Sequence, residues 1–188
     1  MQKRRIDVGT YLYPTPAVMV SCGDARGRRN IIAIAWVGVL CSVPPTVAIG
    51  VTRARHSHGI INASDEFVIN LPTADMVYQL DFTGTYSGRD LDKFEELSLT
   101  AEPPVELEYA PSIAECPVSL ECRVKHRLEL GSHDAFVAEI VAVTAREDWV
   151  DEGGRPSGGA DELLSYGGGI YRALGEVIGE HGFSRGER

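Results

Sequence analysis

The first half of the chain alternates short apolar runs with turn-forming clusters. PAVMVSC (16–22) and NIIAIAWVGVL (30–40) flank GDARGRR, whose glycines and aspartate mark a hairpin turn. The second run is nearly continuous in Ile, Ala and Val, which predicts one strand buried on both faces. PPTVAIGVT (44–52) predicts a third strand, with the double proline setting its entry. HSHGIINAS (56–64) predicts a short helix and EFVINLP (66–72) a fourth strand.

The period then changes. Between residues 74 and 97, Met76, Val77 and Leu80, then Leu91, Phe94 and Leu97, recur at helical spacing around the breaker TGTYSG. In PVSLECRVKHRLEL (117–130), Val118, Leu120, Cys122, Val124, Leu128 and Leu130 alternate strictly, with His126 on their face. AFVAEIVAVTA (135–145) answers it after the turn GSHD. DEGGRPSGGA (151–160) reads as a loop, and a final helix is expected from about Tyr171 to Glu180. Six or more strands with few, short helices predict a mainly β fold, an antiparallel barrel rather than an alternating α/β sheet. A small barrel fills its interior with side chains, so a ligand is expected on its outside or at a subunit interface.

Composition narrows the classes. A chain of 188 residues, 44% hydrophobic and 24% charged, fits a single soluble domain over 1–188. No window approaches the roughly 18 apolar residues of a membrane span, and the basic N-terminus has no apolar core behind it, so a cytoplasmic protein is expected. The net charge of −9 is unevenly spread. Residues 1–60 carry eight Lys/Arg against two acids, while residues 61–145 carry five against sixteen. An acidic surface repels phosphate backbones and argues against nucleic acid; a basic first third suggests where one small anion sits.

Candidate chemistry is sparse. Gly167, Gly168 and Gly169 invite a dinucleotide reading, but GxGxxG would need glycine where Arg172 stands, and neither GxxxxGK[ST] nor GxSxG occurs. His56 and His58 have no third metal ligand at a useful spacing, so no metal is expected. Cys22, Cys41, Cys116 and Cys122 form no CxxC, and in apolar stretches such thiols are expected to be buried. The segment VTRARHSHGII is more informative, because it places Arg55 and Ser57 at the start of a helix following a strand. A guanidinium fork, a hydroxyl and the positive helix end make an anion site, against the plainer reading of Ser57 as an N-cap beside a solvated arginine.

The ordered blocks NIIAIAWVG, CSVPP, RHS, EFVINLP, SGRDLDKF, ECPVSLEC and GSHDAFVAE resemble the flavin reductase-like family of FMN-binding split barrels, over roughly residues 12–175. The resemblance implies an antiparallel, Greek-key-like split β-barrel with short flanking helices, the stretch 151–188 completing the site. It implies FMN as cofactor, with its phosphate held by Arg55 and Ser57. It sets Asn30, Ala35 and Trp36 along the isoalloxazine, the backbone of Cys41 and Ser42 at the flavin's polar edge, and Lys93 as a nearby positive charge. His133 and Tyr166 would close the site from the second half. Ala33 stands where the family commonly has threonine, which removes one hydroxyl contact, and Ala138 where it commonly has glycine, a tolerable packing change. No catalytic side chain is required, because the flavin carries the chemistry.

The function implied is a homodimeric FMN oxidoreductase passing electrons from NAD(P)H or a redox protein to flavin or another acceptor. A non-enzymatic flavin- or haem-binding split-barrel module or sensor is the reading from a different class. A pyridoxamine-phosphate-oxidase-like barrel fits the block order less well.

Overall fold

The computed structural model describes residues 1–156, 159 and 162–187. Its strands and helices are β1 (Thr15–Pro16), β2 (Val18–Gly23), β3 (Arg29–Ile34), β4 (Val37–Ser42), β5 (Pro45–Thr52), α1 (His56–Ser64), β6 (Glu66–Leu71), α2 (Val77–Thr85) and α3 (Lys93–Glu96). They continue with β7 (Ala101–Glu102), β8 (Ser112–Ile113), β9 (Val118–Glu129), β10 (His133–Ala145), β11 (Leu164–Gly167) and β12 (Ile170–Ala173). Seven strands form one sheet in the order β3-β2-β6-β9-β10-β5-β4, and every neighbouring pair is antiparallel.

The run 30–40 is two strands rather than one. β3 pairs with β2 at one edge of the sheet, and β4 pairs with β5 at the opposite edge. The two residues between them, Ala35 and Trp36, bend the chain across the gap, and the Trp36 carbonyl accepts the N–H of Gly50 at 2.9 Å. The sheet therefore curls into a barrel whose split lies beside Ala35 and Trp36. Burial divides at the same place: Asn30, Ile31, Ile32 and Ile34 are buried, whereas residues 38–42 of β4 are exposed.

β2 is buried on both faces because two cores sandwich it. Val18, Val20 and Cys22 join Ile32, Ile49, Phe67 and Phe136 in one core, while Met19 joins Ile31, Leu80, Phe94 and Leu164 in a second. The second core seats α2, α3 and β11 against β2 and β3. In β5 the period of two is plain, with Val47, Ile49 and Val51 inward and the residues between them half-buried. β9 keeps its alternation only in part; Val118 and Cys122 are buried, but Leu128 and Leu130 are exposed.

The expected final helix is replaced by a hairpin. Tyr171 lies in β12, paired with β11 across a turn in which Gly168 and Gly169 take φ of 61° and 80°; residues 174–180 have no regular structure. The helical stretch 74–97 resolves into a 3-10 turn (Ala74–Met76), α2 and α3, with α2 running through the first part of TGTYSG. In the expected loop 151–160, Asp151 accepts the N–H groups of Gly153 and Arg155; residues 157, 158 and 160 lie outside the described residues. Cys41 is exposed on β4, against expectation, while the other three cysteines are buried. Among the described residues no helix is long and apolar enough to cross a membrane.

Candidate functional site

Three cavities meet at Arg55. The chain leaves β5 through a turn in which the Arg55 N–H bonds the Thr52 carbonyl at 3.0 Å, and Arg55 becomes the N-cap of α1 with no side chain capping the helix. Ser57 is therefore not the cap. Arg53 is committed to Glu129 at 2.7 Å and Asp134 at 2.9 Å, Arg28 to Asp24, and Arg29 to Asp92. Among the described residues Arg55 meets no carboxylate, and neither does Arg89.

The first cavity, of about 260 Å³, gathers Arg55, His56, Arg89 and Lys93 over Asn30, Thr83 and Gly88. Lys93 is only 3% exposed, and its Nζ donates to the carbonyls of Ile31 and Thr83, each at 2.7 Å. One of its three N–H bonds stays uncommitted. Burial, and then repulsion from Arg55, pull its pKa down to about 8, against a smaller opposing effect of Cys22. Burial lowers the His56 pKa too, followed by repulsion from Arg89, Arg28 and Lys93. Cations crowded so that each disfavours the others' charge are stabilised by an incoming anion. Below them Asn30 donates from Nδ2 to Ser57 Oγ at 2.8 Å, while its buried Oδ1 has no partner among the described residues. Gly88 closes over that oxygen; a Cβ there would lie 2.1 Å from it.

The second cavity, of about 180 Å³, occupies the barrel's split between Ile32–Trp36 and Gly50–Thr52, with His133 at its rim. The rings of Trp36 and His133 lie 4.3 Å apart at 40°. The third, of about 290 Å³, runs from Ala33, Ala35 and Arg55 to Asp81, Tyr166 and Tyr171. Tyr171 donates its hydroxyl to Asp81 at 3.1 Å; burial, then Asp81, push the phenol up to about 12. Ala33 packs so near α2 that a Cβ on Gly84 would lie 3.1 Å from it.

The structure thus brings Asn30, Arg55 and Lys93 to one cavity, Ala35, Trp36 and His133 to the next, and Tyr166 to the third. Ser57 is wholly buried and reaches the first cavity only through Asn30. Cys41 and Ser42 are not brought in; they sit on exposed β4, where the Cys41 Sγ lies 3.4 Å from the Val43 carbonyl oxygen. Asn30 lines the cationic cavity instead of the Trp36 cleft. His56 and His58 do not share a site, since His58 is held by Asp134 at 2.8 Å. Reasoning from sequence missed Arg89, His56, Asp81 and Tyr171. Arg89 sits inside the block SGRDLDKF, and its glycine neighbour was the one available signal.

Residues 10–175 match the model of the flavin reductase like domain. The chain belongs to the flavin reductase-like family. Flavoredoxin of Desulfovibrio vulgaris (Miyazaki F) is 32% identical with a TM-score of 0.88, the alignment covering 98% of this chain and 100% of that one. Flavoredoxin from Methanosarcina acetivorans is 28% identical with a TM-score of 0.89, covering 98% and 97%. The FMN reductase (NADH) RutF of Stutzerimonas stutzeri is 27% identical over 132 residues, 69% of this flavin reductase-like chain and 71% of that protein. The expected split barrel, mostly antiparallel with few helices, is the fold of these relatives.

Proposed function

We propose that this flavin reductase-like protein is an FMN-dependent oxidoreductase, and that the cavity of Arg55, Arg89 and Lys93 holds the FMN phosphate. The carrying observation is that Arg55 and Arg89, free of carboxylates among the described residues, converge on one compact cavity with Lys93, which keeps one N–H uncommitted. The residues fit the group. A monophosphate dianion matches two guanidinium forks and an ammonium. The Asn30 Oδ1, without a partner among the described residues, is an acceptor and so fits a hydroxyl donor of the ligand rather than the dianion itself.

When bound, the flavin supplies the two-electron chemistry. The chain's own residues do the rest. Arg55, at the junction of the three cavities, orients whatever runs from the phosphate end toward the split. Trp36 and His133 offer ring faces and exclude water from the cleft. Lys93 and Arg89 place positive charge behind the phosphate. The electron donor is NAD(P)H or a redox protein, supported by relatives named an NADH-dependent FMN reductase and flavoredoxins. A second copy of the chain covers the exposed β4 face and completes the pocket, which would bring Cys41 and Ser42 to a partner's flavin.

Chromatography of the denatured yellow protein should release FMN and no FAD. Arg55→Ala should weaken FMN binding by about 1.5–3 kcal/mol, roughly ten- to hundredfold, with little change in apoprotein stability. An unchanged dissociation constant would move the phosphate elsewhere. Anaerobic stopped-flow mixing with NADH, then NADPH, separates a nucleotide donor from a protein donor.

A further inference from the structure

Arg55 can hold a phosphate in one orientation only if its backbone is held, and its own helix does little to hold it. No side chain caps α1 at Arg55, and the first turn carries no acidic residue. The anchor lies on β10. Asp134, opposite Val51 in the β5–β10 pairing, takes hold of the chain on both sides of Arg55. Two residues before, Arg53 donates from Nε to both Asp134 oxygens at 3.0 and 3.2 Å. Three residues after, His58 Nε2 lies 2.8 Å from Asp134 Oδ2.

His58 passes that hold directly to Arg55, because its backbone N–H bonds the Arg55 carbonyl at 3.1 Å. Its imidazole is 14% exposed and meets the wholly buried Phe136 ring edge-on, with centroids 5.3 Å apart. Hydrogen bonds from Arg53, then from His58, keep the Asp134 carboxyl below the ordinary carboxylate range. An ionised carboxylate only accepts, so Nε2 carries the His58 proton in this pair. Asp134 lines none of the three cavities that meet at Arg55, and neither do Arg53 and His58. They reach a ligand there only through the backbone they hold.

We propose that Asp134 is a positioning residue for the phosphate grip: one carboxylate, bonded to Arg53 and His58, fixes the strand-to-helix turn that aims Arg55. The inference rests on the reading of Arg55 as the residue that holds the FMN phosphate. A guanidinium fork matches phosphate oxygens in a set geometry, and misplacing such a group by about 1 Å costs on the order of a hundredfold. A carboxylate that merely stabilised the fold would weaken every ligand alike. One that aims Arg55 weakens a phosphorylated flavin and spares its unphosphorylated counterpart.

Fluorescence titration of the flavin-stripped full chain with FMN, and with riboflavin, which lacks the phosphate, tests it. Arg55→Ala should weaken FMN and leave riboflavin within about twofold; Asp134→Asn should do the same, at about tenfold for FMN. His58→Ala should reproduce that loss, and His58→Gln, which keeps an N–H donor, should recover most of it. Glu129→Gln, which touches only the exposed outer bond to Arg53, should leave FMN within about twofold. In the Arg55→Ala background, adding Asp134→Asn should cost FMN nothing further. Unchanged FMN binding in Asp134→Asn, equal loss of FMN and riboflavin, or losses that add in the double variant would each overturn the role. If Asp134→Asn does not fold, the two His58 variants decide by the same readout. FMN binding unchanged in Arg55→Ala would sink the phosphate reading and this inference together. An effect of Arg55→Ala with none of Asp134→Asn sinks this inference alone.

Discussion

Lys93 illustrates how one residue turns from an ordinary surface charge into a tuned one. In sequence it stands beside Glu95 and Glu96 and reads equally as a solvated helix face. The Asp92 side chain caps α3 by accepting the N–H groups of Phe94 and Glu95, and the helix turns Lys93 inward onto two carbonyls. With its folded pKa near 8, below the ordinary lysine value of 10.5, the unfolded chain binds more protons between these values. Lys93 therefore destabilises the apoprotein below pH 8, and this penalty is relieved as pH rises from about 8 toward 10.5. FMN affinity should run the other way, falling above pH 8 as the ammonium is lost. Calorimetry in buffers of different ionisation enthalpy should show proton uptake on binding near pH 8–9, and Lys93→Arg should abolish both effects. Gly88 makes a second residue-scale test. A methyl there meets Asn30 Oδ1, so Gly88→Ala should displace Asn30 from Ser57 and weaken FMN binding about tenfold in a fluorescence titration. Arg55 was visible from its neighbours because a strand end and a helix start flank it in sequence. Arg89 was not, since Arg55 and His56, with which it shares the cavity, lie more than thirty positions away in the basic first third.

At the scale of elements, local pattern decides where an element can form, and pairing decides whether it does. Leu174, Val177 and Ile178 recur at helical spacing, yet all three are exposed and residues 174–180 meet no apolar face that would hold a helix. Tyr171 instead gains a strand partner in Tyr166. The run 30–40 breaks for a similar reason, its two halves having different neighbours at opposite sheet edges. The loop before β8 shows pairing by side chains. Glu121 is 2% exposed and accepts the N–H groups of Val105, Glu106 and Leu107 at 2.6, 2.8 and 3.0 Å. Glu66 holds Glu108 and Tyr109 in the same manner. Glu121→Ala should cost about 3 kcal/mol, lowering Tm by roughly 6–12 °C, with hydrogen exchange accelerated first at residues 105–107.

For the whole molecule, the exposed apolar surface carries the expectation of a partner. Val39 and Leu40 on β4, Val43 just after it, and Leu128 and Leu130 at the end of the β9 run are exposed apolar side chains that a second copy of the chain would cover. Analytical ultracentrifugation should give about twice the 20.4 kDa chain mass. Leu40→Glu should shift it toward monomer and loosen FMN with it; a monomer that holds FMN tightly would separate the two claims. The sequence by itself determined the strands β2, β5, β6, β9 and β10, the helix after Thr52 and the family, and it singled out Arg55 as a candidate anion grip. Each of these is written in residues near one another along the chain, as a period of two, a turn cluster or a strand-to-helix junction. Only the tertiary structure decided that Arg53, Arg28 and Arg29 are consumed by carboxylates while Arg55 and Arg89 meet none among the described residues, that Lys93 is buried, and that the expected last helix is replaced by a hairpin. Those outcomes depend on which distant side chains share a space, and contact across a curled sheet leaves no local period to read.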